Sequence, residues 1–257
     1  MTRLLEGKSA LVTGASKGVG KGIALEFARQ GAAVAVNYHS DEKGALATVA
    51  EIEALGRRAF VIQADVAQSA EVDRMFERVL AEFPRLDIHV NNAGVQTWSA
   101  LLDLSEKEWD RVLDTNLKGC FLNTKRAGAH MKQHGSGSII NIGSGCNKAP
   151  FPNLVSYTAS KGGIEMFTKS SAIELGPYGI RVNCVAPGAI EIERTKDEAS
   201  GTFSDVWPKA TPLGRIGLPV DVGRACVFFA SDMSDFVTAQ TLWVDGGAFT
   251  KPQWPYA

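Results

Sequence analysis

The chain is poor in the features that would tie it to a disulfide framework, a metal or a membrane. Its 257 residues hold only four cysteines, Cys120, Cys146, Cys184 and Cys226, and no two form a Cys-x-x-Cys pair. Thiols spaced this widely point to reduced, buried side chains in a cytoplasmic protein. The histidines, His39, His89, His130 and His134, do not supply the clustered ligands of a zinc site, so no metal is expected. No stretch reaches the roughly 20 apolar residues of a membrane span, and Met1–Gly7 lacks the apolar run of a signal peptide. An excess of one charge is missing too. With 27 Lys+Arg against 28 Asp+Glu, the net charge of −1 argues against nucleic acid or an anionic membrane as the main partner. Nothing reads as a linker or an internal repeat, so residues 1–257 are expected to form one domain.

What is present is an alternation of short apolar runs with longer amphipathic segments, the pattern of an α/β protein with a parallel sheet covered by helices. Strands are expected at Ser9–Thr13, Ala33–Asn37, Arg58–Gln63, Asp87–Asn91, Gly137–Ile142, Ile180–Val185 and Thr241–Val244. They alternate little, as strands buried on both faces should. Helices are expected at Val19–Gln30, Glu42–Leu55, Ala70–Glu82, Glu106–Gln133, Leu154–Leu175 and Val220–Ala230. Ser105 and Glu108 have the spacing of a capping box, and Pro219 suits a first helical turn. The stretch 189–212 shows no clear periodicity and follows a strand end, which suggests a lid over a substrate site.

The first strand runs into Gly14-Ala15-Ser16-Lys17-Gly18-Val19-Gly20 and then a helix. Such a turn directs backbone N–H groups and the positive helix end at a phosphate, with glycines where the backbone must approach closely. A Walker P-loop is excluded, because Ala15 replaces its first glycine and Gly22 follows Lys21. Dinucleotide folds that use NAD usually carry an acid at the tip of the second strand. Here the tip reads Asn37-Tyr38-His39-Ser40, and Lys17, His39 and Ser40 are placed to hold a 2′-phosphate, which favours NADP(H). NAD(H) stays open, since a small loop shift would bring Asp41 or Glu42 to the ribose.

Further on stand Asp65-Val66, Asn91-Asn92-Ala93-Gly94, Asn116, Ser144, Tyr157-Thr158-Ala159-Ser160-Lys161 and Pro187-Gly188. Tyr157 and Lys161 are i and i+4, on one helix face. A phenol titrates near 10, and a neighbouring ammonium lowers that value towards neutrality, which suits proton transfer. Ser144 can hydrogen-bond an oxygen on which charge develops.

In order and spacing these motifs resemble the short-chain dehydrogenase/reductase family across nearly the whole chain. Asn37-Tyr38, Pro187-Gly188-Ala189-Ile190 and a tail past Asp245-Gly246-Gly247 look like its glucose 1-dehydrogenase-like members, and the same body plan serves 3-oxoacyl-carrier-protein reductases. The resemblance implies a single doubly wound Rossmann-type domain, a seven-stranded mostly parallel sheet of order 3-2-1-4-5-6-7 with helices on both faces. It implies a catalytic set of Tyr157 as general acid/base, Lys161 supporting it and binding the nicotinamide ribose, Ser144 orienting the substrate oxygen, and Asn116 holding a relay water. It further implies cofactor contacts from Gly14, Ser16, Lys17, Gly18, Val19, Gly20, Tyr38, His39 and Ser40, from Asp65 and Val66 at the adenine, from Asn92, Ala93 and Gly94 along the cleft, and from Pro187, Gly188 and Ile190 at the carboxamide. One position departs: Ile192 stands where many members have Thr, and Thr195 would replace it only if the loop shifts.

The expected reaction is hydride transfer between NADP(H) and a small-molecule secondary alcohol or ketone. Gln96, Trp98, Cys146, Asn147, Phe151, Pro152, Asn153, Ile192, Phe203 and Trp207 are candidates for the pocket wall. A carrier-protein-dependent ketoacyl reductase is the alternative, needing a basic docking patch for which Lys125, Arg126, Lys132 and Lys169 are available. A catalytically silent nucleotide-binding protein is a third reading. Family likeness suggests a homotetramer built through the long helices and the last strand region, with the tail Phe249–Ala257 across an interface.

Overall fold

The computed structural model describes residues 3–83, 85–193, 195 and 203–250. Seven strands form one sheet in the order β3-β2-β1-β4-β5-β6-β7: β1 (Ser9–Val12), β2 (Ala33–Tyr38), β3 (Ala59–Gln63), β4 (Ile88–Asn91), β5 (Gly137–Ile142), β6 (Ile180–Pro187) and β7 (Thr241–Val244). Every pairing is parallel, so the sheet is parallel throughout and not merely mostly so.

The strands do alternate, but between two buried faces. On one face Ala10 and Val12 of β1, Val34 and Val36 of β2 and Ile140 and Ile142 of β5 meet a layer of α1 (Gly18–Arg29), α2 (Glu42–Ala54) and the helix Pro219–Ala230. On the other, Leu11, Ala35 and Ile139 meet α3 (Ser69–Glu82) and the long helices that come after β4 and β5. With both sides apolar, a period of two leaves little trace in the sequence. On α3, Val72, Met75, Phe76 and Val79 are buried, one face at i, i+3, i+4 and i+7.

The segment expected as one helix over Glu106–Gln133 is interrupted. It consists of α4 (Glu106–Leu113), a π turn (Asp114–Lys118) and α5 (Gly119–His134). A π turn inserts one residue into the ladder and rotates the helix beyond it. Half of the capping box forms: Ser105 Oγ accepts from Glu108 N–H at 3.2 Å. The Glu108 carboxylate turns instead to Thr97 Oγ1 (2.7 Å) and the Arg111 guanidinium (2.8 Å), because a cation is a stronger partner than a backbone amide.

The α6 helix spans Val155–Leu175. The stretch read as irregular contains a helix, α7 (Phe203–Ala210), whose Phe203 and Trp207 stack on each other at 6.0 Å despite Pro208. Arg194 and residues 196–202 of that stretch, and Trp254 and Tyr256 of the tail, lie outside the described residues. The last helix, α8 (Pro219–Ala230), begins with Pro219, and Asp221 Oδ2 accepts from Leu218 N–H at 2.8 Å.

Candidate active site

The sheet order reverses between β1 and β4, and open α/β sheets form a crevice at the carboxyl ends of strands beside such a reversal. The glycine turn follows β1, Asn92–Gly94 follow β4, Ser144 follows β5 and Gly188–Ile190 follow β6. The motifs scattered along the chain therefore meet at one end of the molecule.

The glycine turn is bolted in place by two asparagines. Gly14 N–H donates to Asn37 Oδ1 (3.1 Å), and Ala15 N–H donates to Asn37 O (2.8 Å). From the other side, Asn92 Nδ2 donates to Thr13 O (2.8 Å) and Gly14 O (3.0 Å). The Thr13 hydroxyl accepts from the N–H groups of Asn92 (2.9 Å) and Ala93 (3.1 Å). A Cβ on Gly20 would lie 2.3 Å from Gly14 O and 2.4 Å from Asn92 Nδ2, so the helix start can approach the strand only without a side chain. Gly14 and Gly18 take φ of +60° and +57°. The first turn of α1 has neither a side-chain cap nor an acidic residue, which leaves its N–H groups and positive end available to an anion. This cradle fits a pyrophosphate, and Gly14, Ser16, Lys17, Gly18, Val19 and Gly20 are the residues that would hold it.

At the tip of β2, Tyr38 is buried while His39 and Ser40 are exposed. Both nearby acids are engaged. Asp41 caps α2 by accepting from Gly44 N–H (3.0 Å) and lies 3.8 Å from Lys17 Nζ. Burial, and then the Glu42 carboxylate, push the Tyr38 hydroxyl upward. Asp65 Oδ1 accepts from Ala67 N–H (2.9 Å), and Val66 sits close against Gly119.

Lys161 is 4% exposed, its Nζ donates to Ile142 O at 2.7 Å, and it stands 5.5 Å from the centroid of the Tyr157 ring, which is half-buried. Ser144 precedes a short 3-10 turn (Gly145–Asn147), where its Oγ accepts from Cys146 N–H at 3.2 Å. Asn116 lies inside the π turn with its amide fully engaged. Its Nδ2 donates to Val95 O and Ser160 Oγ, both at 2.9 Å, and its Oδ1 accepts from Val95 N–H at 2.8 Å. Ser160 Oγ in turn donates to Tyr157 O (2.7 Å). The π turn is thereby tied to the first turn of α6.

Pro187 at the end of β6 and Ile190 beyond it are buried, and Gly188 N–H donates to Val244 O at 3.0 Å. The Thr195 hydroxyl does not take over the role of the residue at 192. It accepts from Ile192 N–H (2.9 Å) and contacts Ile192 O (2.9 Å) and Ile190 O (3.3 Å), closing its own turn. Ile192 itself faces the glycine turn, 3.5 Å from where a Cβ on Gly18 would lie.

Three aromatic rings gather beside the Ser144 loop: Phe151, Trp207 and Phe249, with centroids 5.9–6.2 Å apart. The Phe249 ring packs against Gly145 of its own chain. That contact joins positions about a hundred residues apart, and no local pattern signals it. Asn37, Asn147 and Glu165 were likewise missed as supports of the site, because an asparagine or glutamate reads as a surface residue until its partners are placed. Burial raises all four thiols, Cys120 to about 12 and Cys184 to about 11, so they are poor nucleophiles. Among the described residues no cluster of His, Cys, Asp and Glu is suited to a metal, and no helix is long and apolar enough to cross a membrane.

A parallel doubly wound sheet with a phosphate cradle at its reversal point and a Tyr–Lys pair beside it defines an NAD(P)-dependent oxidoreductase. The chain belongs to the short-chain dehydrogenase/reductase family. A family model described as enoyl-(acyl carrier protein) reductase matches residues 14–249. The chain is 43% identical over 242 residues to the 3-oxoacyl-[acyl-carrier-protein] reductase FabG of Staphylococcus aureus, covering 94% of this chain and 98% of that protein. It is 39% identical over 254 residues to glucose 1-dehydrogenase 2 of Bacillus subtilis, covering 98% of each. The crystal structure of a gluconate 5-dehydrogenase from Burkholderia cenocepacia in complex with NADP and tartrate superposes with a TM-score of 0.91 at 35% identity, over 98% of this chain and 99% of that one.

Proposed function

We propose that the protein transfers hydride between NADP(H) and a secondary alcohol or ketone, with Tyr157 as general acid/base. The observation that carries this reading is the Lys161 ammonium held by Ile142 O at the carboxyl end of β5, 5.5 Å from the centroid of the Tyr157 ring one helical turn away. The hydroxyl on the same helix face can exchange a proton with the substrate oxygen. Ser144 donates its hydroxyl hydrogen to that same oxygen, while its own lone pair is occupied by Cys146 N–H. The nicotinamide supplies the hydride when bound, and Lys161, Pro187, Gly188 and Ile190 would hold its ribose and carboxamide. Asn116 has no amide hydrogen left for a water, so its side chain braces Val95 and Ser160, and a relay water there would rest on the main chain of the π turn.

NADP(H) is favoured over NAD(H) because Asp41 is committed to the α2 cap and to Lys17, and Glu42 to Tyr38, while His39 and Ser40 stand exposed at the strand tip with Lys17 beside them. The ring cluster of Phe151, Trp207 and Phe249 suits a substrate with an apolar face, with the stretch 189–212 as its lid. Reduction of a carrier-protein thioester is the second reading, favoured by the similarity to the Staphylococcus aureus reductase. Against it, three of the four candidate docking cations are already engaged: Arg126 with Asp73 (3.1 Å), Lys132 over the Tyr178 ring (4.0 Å) and Lys169 with Glu165 (3.0 Å). We also place the enzyme in the cytoplasm as a homotetramer. Leu113, Leu117, Phe121 and Phe167 line an apolar surface groove on the long helices that suits such an association.

The decisive experiment measures NADPH- and NADH-dependent reduction of sugars, ketones and β-ketoesters by wild type and Tyr157→Phe. Removing the proton donor should lower kcat by about 10²-fold or more without weakening NADPH binding. Undiminished reduction by the variant would refute the assignment of Tyr157, whereas cofactor binding with no reduction by the wild type would favour a silent nucleotide-binding protein. A clear NADH preference would refute the assignment of the β2 tip.

A further inference from the structure

Tyr157, Lys161, Glu165 and Lys169 succeed one another at four-residue steps along α6, so each lies one turn beyond the last. The first two face the reaction; the third reaches the back of the serine loop. The Glu165 carboxylate accepts from Asn147 Nδ2, and its other oxygen accepts from Lys169 Nζ at 3.0 Å. Asn147 Oδ1 accepts from the backbone N–H of Ser144 at 3.3 Å, and Asn147 N–H donates to Ser144 O at 3.2 Å. The Ser144 loop is therefore gripped at its main chain by one amide whose far end is held by the helix that carries Tyr157.

The polarity of this chain admits one arrangement. A carboxylate only accepts and a backbone N–H only donates, so the Asn147 amide must turn its nitrogen to Glu165 and its oxygen to Ser144. A hydrogen bond to an ionised acceptor is stronger than a neutral one, and Lys169 holds that acceptor from its other side. None of these three side chains is needed for the proton transfer itself. Their effect is to fix the height of Ser144 relative to Tyr157, because both now depend on α6 and move with it. We propose that Glu165, acting through Asn147, is a positioning residue that sets Ser144 against the substrate oxygen, with Lys169 fixing the carboxylate. This rests on the roles of Ser144 and Tyr157 under Proposed function.

The test uses the full chain with NADPH and ethyl acetoacetate as the probe substrate. Misplacing a catalytic group by a fraction of an ångström costs rate more than affinity, so Glu165→Ala should lower kcat about tenfold. The KM for NADPH should stay unchanged. Glu165→Gln keeps an acceptor for Asn147 without the charge and should recover most of the rate. In a Ser144→Ala background, Glu165→Ala should produce no further fall in kcat, the outcome of action through Ser144 alone. Thermal melting separates this from unfolding, and Asn147→Ala attacks the same chain from its other end should Glu165→Ala fold poorly. The proposal is overturned if both Glu165→Ala and Asn147→Ala keep the wild-type kcat, or if the loss is equally large without the Ser144 hydroxyl. Should Ser144→Ala itself turn over normally, the reading of Ser144 fails along with the relay.

Discussion

Acidification should destabilise the protein through one buried imidazole. His89 lies in β4, fully buried, 5.6 Å from the Phe76 ring centroid, with Nε2 2.9 Å from Asn91 Oδ1 and Nδ1 without a hydrogen-bond partner among the described residues. Desolvation lowers its pKa from 6.5 to about 4, outweighing the opposing hydrogen bond to Asn91. Because the folded value lies below the unfolded one, the unfolded chain binds the proton first as pH falls. The stability is therefore intact above pH 6.5 and is lost progressively between 6.5 and about 4. A separation of about 2.5 units is worth roughly 3 kcal/mol in full, of which roughly 1 kcal/mol is gone by about pH 5.5. Urea unfolding of wild type and His89→Gln at fixed protein concentration, in steps between pH 7.5 and 4.5, isolates this contribution from that of the carboxylates. The wild type should lose stability faster than the variant across the window. Parallel loss in the two proteins would show that His89 does not titrate as its burial requires.

Packing sets two further outcomes. A Cβ at Gly145 would lie 2.1 Å from Cε2 of Phe249, so Gly145→Ala should expel that ring from its place beside Phe151 and Trp207. Overpacking of this kind costs about 1–3 kcal/mol and should raise the KM of an apolar ketone while sparing that of NADPH. Unchanged melting and kinetics would refute the wall. Phe121 lines the groove and is 44% exposed, so sizing chromatography should give a tetramer for wild type and smaller species for Phe121→Asp. A wild-type monomer at micromolar concentration refutes the association.

Much of the fold was legible because a strand in a parallel sheet and a glycine turn each leave a local signature. All seven strands and the turn into α1 are encoded in runs of a few residues, and the Tyr157–Lys161 pairing comes from helical periodicity alone. The π turn at Asp114–Lys118 was not legible. It depends on Asn116 bonding Val95 and Ser160, residues that meet it only after β4, α4 and α6 have packed. Helix α7 escaped notice because two aromatic residues and a proline in eight positions carry a weak periodic signal, while its stability comes from rings elsewhere in the chain.

By itself the sequence determined the parallel layered architecture, the glycine turn and the pairing of Tyr157 with Lys161 on one helix face, since each is encoded within one or two turns of chain. Only the tertiary structure decided what surrounds them: that Asn37 and Asn92 clamp the cradle, that Phe249 packs against Gly145, and that Asn147 and Glu165 hold the Ser144 main chain. Apart from the local Asn147–Ser144 turn, those contacts join segments from 18 to about a hundred residues apart. Their geometry is set by how the helices pack on the sheet, which no local pattern of residues specifies.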